Sequence, residues 1–114
     1  MSSSEARRPL CGIELARAEG RHVNVVDLRT LSPGSVIKIT TASGNIYLIE
    51  VVESEHPTAH LTRFSANKAA KIDGYLGIQE ISPLVETGKV LEHKNGDGKT
   101  YPTKPIVKLE LMIT

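Results

Sequence analysis

The chain has 114 residues, enough for one domain with a modest core and too few for two ordinary ones. Hydrophobic residues make up 39%, charged residues 24%, and the formal net charge is +1, a globular balance whose bulk charge argues for neither nucleic acid nor a membrane surface. The single cysteine, Cys11, excludes an intramolecular disulfide and a multi-cysteine zinc site, and no apolar run approaches the roughly 20 residues of a membrane helix.

Residues 1–9 read as a flexible tail, with three serines, two arginines and a proline and little to bury, and 10–114 as a single β-rich domain. The first residues lack the apolar core of a secretory signal, so a cytoplasmic protein is expected. Ile13 to Glu19 spells two turns of a short helix that Gly20 stops, a length that needs packing to persist in water. Val23 to Leu28 reads as a first strand, and Leu31-Ser32-Pro33-Gly34 as a turn in which proline presets φ.

The strongest signal runs from Ser35 to Glu53. Val36–Thr41 and Ile46–Val52 are rich in β-branched residues, and Ala42-Ser43-Gly44-Asn45 lies between them. A three-residue loop Ala42–Gly44, ending on a left-handed glycine, sets Ile37 opposite Ile49 and Ile39 opposite Tyr47. One face then carries Ile37, Ile39, Tyr47, Ile49 and Val51. A register one residue away would put Glu50 in the core. The opposite face keeps Val36, Ile46 and Leu48, too apolar for open solvent, so a helix, the chain's own tail or a second subunit is expected to cover part of it.

Further on, Glu53 to Thr58 is a polar loop and Ala59 to Phe64 a strand. Ser65 caps a short helix over 66–72 that Asp73-Gly74 ends, and Gly74 to Gln79 is the next strand. A turn at Gly88 feeds a strand through Val90 and Leu91, and Asn95-Gly96-Asp97-Gly98 is a tight turn. The last strand, Ile106–Ile113, alternates Val107, Leu109, Leu111 and Ile113 on one side against Lys108 and Glu110 on the other. Leu31 to Ile37 and Val85 to Leu91 share a glycine turn that feeds a strand, a repeated geometry and not a repeat protein. The whole predicts a mainly β chain: a small bent sheet or barrel, SH3-like or similar, of five to seven short strands with a short N-terminal helix.

Three groups of side chains carry candidate chemistry. Glu53, Glu55, His56 and His60 have the donor types of a divalent-metal site, although His56-Pro57 disfavours a helix that would align the two imidazoles. Lys89, Lys94, Lys99, Lys104 and Lys108 outnumber Glu92 and Asp97 between residues 89 and 108; with Tyr101 they form a candidate surface for single-stranded nucleic acid. Lysines also protect exposed strand edges from pairing, and with a net charge of +1 and 4% aromatic residues that reading is preferred. Cys11 has no base nearby in sequence and reads as a small, partly buried thiol. No nucleophile elbow and no phosphate-cradling glycine loop is present. The expectation is a non-enzymatic interaction module without cofactor that binds protein, itself or a partner, through Val36, Ile46 and Leu48. The alternatives are a nucleic-acid-binding barrel and a metal-dependent enzyme.

Overall fold

The computed structural model describes residues 13–65 and 72–113. The tail, Cys11 and positions 66–71 of the expected second helix lie outside them. In chain order the elements are a helix α1 (Ile13–Arg17), then β1 (Arg21–His22), β2 (Val25–Asp27), a 3-10 turn (Leu28–Thr30), β3 (Val36–Thr41) and β4 (Ile46–Glu53). There follow β5 (Thr58–Phe64), β6 (Ile72–Ile81), β7 (Leu84–Glu86), β8 (Glu92–Lys94), β9 (Thr100–Pro102) and β10 (Ile106–Ile113).

Eight strands form one antiparallel sheet in the order β1-β10-β3-β4-β5-β6-β8-β9, and β2 pairs with β7 in a second, two-stranded sheet. The end strands β1 and β9 do not pair with one another, so the sheet is bent but not closed into a barrel. The bend is strong enough that the ring of Tyr47 on β4 meets that of His93 on β8, centroids 6.4 Å apart. Ten strands replace the five to seven expected. The additional ones are two or three residues long, too short to show an alternation in the sequence.

The β3–β4 hairpin has the register its loop length implies, with Ile37 opposite Ile49 and Ile39 opposite Tyr47. Thr41 N donates to Asn45 O (2.9 Å) and Gly44 N to Thr41 O (2.8 Å), closing the loop with Gly44 at φ +91°. Ile37, Ile39, Ile49 and Leu61 are fully buried on the inner, concave face, where Val26 and Val85 of the small sheet join them.

Several local expectations change. Of the first predicted strand, Val25–Asp27 pairs with β7, Val23 N donates instead to Leu109 O of β10 (3.1 Å), and Asp27 caps the 3-10 turn that ends β2, its Oδ1 accepting from Arg29 N at 3.0 Å. Gly74 lies inside β6 and ends no helix. Val90 and Leu91 are outside any strand, in a connection held by Ile106 N donating to Lys89 O (2.8 Å) and Thr103 N to Leu91 O (2.9 Å). In β10 a bulge between Ile106 and Lys108 turns Val107 out to solvent, 60% exposed, and so breaks the predicted alternation. Glu110, expected in solvent, is fully buried.

Candidate interaction face

The burial of Glu110 follows from what covers the outer, convex face. Val36, Leu48 and Phe64 form a second apolar cluster there with Ala16 of α1, and Leu15, Ile46 and Met112 pack around it. The helix is fixed from below by a charge. Lys38 Nζ donates to the carbonyls of Ala16 (3.0 Å) and Ala18 (2.5 Å), the end of α1 where a cation is favoured. Lys38 Nζ also lies 3.4 Å from Glu110 Oε1, and Glu110 Oε2 accepts from Gly20 N at 3.0 Å. The expected cover for Val36, Ile46 and Leu48 is therefore the chain's own helix: Val36 and Leu48 have no exposed surface, and Ile46 is partly buried.

The rest of the outer face stays open. Across β4, β5 and β6 the register sets Glu50 opposite His60, His60 opposite Ile78, and Thr62 opposite Tyr75. Period two would send Tyr75 and Ile78 to opposite faces. A register shift between Leu61 and Thr62, with Gly77 at φ +96°, brings both to the outer face. Tyr75 is 59% exposed and Ile78 54%. The Tyr75 hydroxyl meets His60 Nδ1 at 2.5 Å, and the two rings sit 5.6 Å apart. Beside them Lys94 Nζ lies 3.9 Å from Glu80 Oε1. Sequence reading missed this strip; its trace was the pair of glycines, Gly74 and Gly77, inside a strand.

The metal candidates are distributed differently. Glu53 ends β4, exposed, and His60 is engaged with Tyr75. Glu55 and His56 border an open groove of about 490 Å³ with Arg29, Pro57, Glu80, Ile81 and Pro83. Among the described residues no three carboxylate, imidazole or thiol groups converge to hold an ion. In that groove Arg29 is engaged by Asp27 (Nε to Oδ1 and Nη2 to Oδ2, both 2.9 Å), and these hydrogen bonds hold the Asp27 carboxyl below its ordinary value.

Of the lysine group, Lys94, Lys99 and Tyr101 belong to the β8–β9 hairpin and its turn, whereas Lys108 is on β10, opposite Thr40. Lys89 Nζ lies 3.9 Å from Glu86 Oε1, and Lys104 is exposed in the connection before β10. Tyr101, 39% exposed, leans on His93 with centroids 5.9 Å apart.

His93, which no motif marked, is buried on the inner face and bonds through Nδ1 to Gln79 Oε1. Gln79 Nε2 donates to Leu76 O (3.0 Å), which aims the amide oxygen at the ring and makes His93 Nδ1–H the donor. Burial, and then the charge of Arg63, push the imidazole pKa down, favouring the neutral ring.

Among the described residues, no helix is long and apolar enough to cross a membrane. Comparison with protein-family models, with curated proteins and with solved structures finds no match.

Proposed function

We propose that this chain is a non-enzymatic interaction module, a small SH3-like bent sheet that binds protein through the open part of its outer face. The observation that carries this reading is the exposed pair Tyr75 and Ile78, side by side on a face whose other half α1 seals. The protein bound is a second copy of the chain. A net charge of +1 gives two copies no long-range repulsion, and a two-fold axis through the strip sets Tyr75 of one copy against Ile78 of the other, an aromatic–aliphatic pairing. Sedimentation velocity across the micromolar range tests it. The expected result is a concentration-dependent dimer that Tyr75→Ser and Ile78→Ser each abolish without moving the denaturant midpoint. A monomer throughout that range overturns the reading.

The nucleic-acid reading stands second, supported by exposed Tyr101 on the same hairpin as Lys94 and Lys99. Oligonucleotide binding at two salt concentrations tests it, and affinity insensitive to salt removes it.

A further inference from the structure

The concave face ends in an open rim at the β8–β9 hairpin, built from two rows of residues. Register sets Tyr47, Arg63 and Gly74 in one row across β4, β5 and β6, and Ile81, His93 and Tyr101 in another across β6, β8 and β9. The bend of the sheet turns the second row toward the first, so the His93 ring meets both Tyr47 and Tyr101. Gly74 brings no side chain to the rim, and a Cβ there would meet nothing within 4 Å. His93 itself is 8% exposed, and its two nitrogens are used unequally. Nδ1–H is committed to Gln79 Oε1, which makes Nε2 of the neutral ring an acceptor. That acceptor has no hydrogen-bond partner among the described residues and is not sealed from solvent. Burial and the charge of Arg63 keep the ring neutral and the lone pair available.

We propose that this rim is a site for a nucleobase of a single strand: the base lies against Tyr101 and donates an N–H from its pairing edge to His93 Nε2. The site deepens the nucleic-acid reading above and rests on it. Tyr101, 39% exposed, supplies ring surface for stacking. Lys99 and Lys104, exposed on either side of it in the chain, make no ion pair among the described residues and supply cations for the adjoining phosphates. Asp97, the nearest carboxylate along the chain, is turned into its own loop, where Oδ1 accepts from Lys99 N at 2.9 Å. Lysines alone would favour a duplex, whose charge density is higher. An acceptor that takes a pairing-edge N–H needs that edge free, and so selects single strands. Thymine fits it most simply, because its imino N–H is the one donor it carries.

A thymidine oligonucleotide and its imino-methylated counterpart test this on the full chain, read by fluorescence anisotropy of labelled strands at low salt. Methylation removes the donor and keeps the charge, so the natural strand should bind about three- to tenfold more tightly. The nitrogen NMR signal of His93 Nε2 should move upfield with the natural strand and stay in place with the methylated one, a response that phosphate contacts alone do not produce. Tyr101→Ala, at an exposed position where folding is not at risk, should weaken the natural strand about five- to a hundredfold. Equal affinity for the two strands, or an Nε2 signal that the natural strand leaves unmoved, overturns the base site while the nucleic-acid reading stands on charge alone. Failure of either strand to bind overturns both.

Discussion

Lys38 and Glu110 face each other on adjacent strands of the outer face, Nζ to Oε1 3.4 Å, and neither side chain is more than 7% exposed. A buried pair of this kind is costly to desolvate, and its value lies in what it holds. Here the lysine ends α1 and the carboxylate catches the chain immediately after it. Removing one partner leaves the other charged and buried. Glu110→Ala should therefore cost about 3–5 kcal/mol, measured by denaturant unfolding. The double variant Lys38→Met, Glu110→Leu should cost less than the sum of the two single changes, because no charge is stranded; additive losses would show that the two residues do not act as a pair.

Gly20 is the tightest point of the path from α1 into β1. A Cβ there would stand 2.4 Å from Leu111 O and 2.6 Å from Met112 Sδ, one of them rigid backbone. Gly20→Ala should push the segment off β10 and destabilise the fold by about 1–3 kcal/mol. The loss should appear first as faster amide exchange in α1, with core strands unaffected until global unfolding.

The hairpin supplies a prediction on the turn and on both faces. At φ +91°, Gly44→Ala should cost about 1 kcal/mol through the steric penalty of a left-handed alanine. Ile49 and Leu48 point to opposite faces, yet both are fully buried. Each truncation to alanine should cost about 2–5 kcal/mol, and denaturant midpoints should show losses of similar size. A small loss for Leu48→Ala would mean that α1 does not stay on the outer face in solution.

What the sequence made legible, and what it hid, follows the range of the interactions. The β3–β4 hairpin was readable because strand composition, loop length and Gly44 are local and agree. The open strip was hidden because Tyr75 and Ile78 share a face only through the irregularity near Gly77, and a parity argument without that shift sends them apart. Glu110 looked solvent-facing because its cover is α1, some 90 residues earlier in the chain, as the Gly20–Glu110 bond records. The four metal candidates were adjacent in sequence, but His60 is drawn into β5 against Tyr75 while Glu55 and His56 stay in the loop. Proximity along a chain that passes from loop to strand does not fix proximity in space.

His93 makes the stability depend on pH. Its imidazole is buried against Gln79 and Tyr47, and burial and Arg63 both push its pKa below the ordinary value near 6.5. In the unfolded chain the ring regains that ordinary value and binds a proton more readily than in the fold. The contribution of neutral His93 is thus fully present above about pH 6.5 and is lost as pH falls below it, levelling off once the folded-state pKa has been passed. Denaturant midpoints should drop from neutral to mildly acidic pH in the natural chain, and His93→Gln, which cannot titrate, should show a shallower drop. An equal slope with and without His93→Gln would mean that the buried imidazole takes up its proton as easily in the fold as out of it, against the reading of its surroundings.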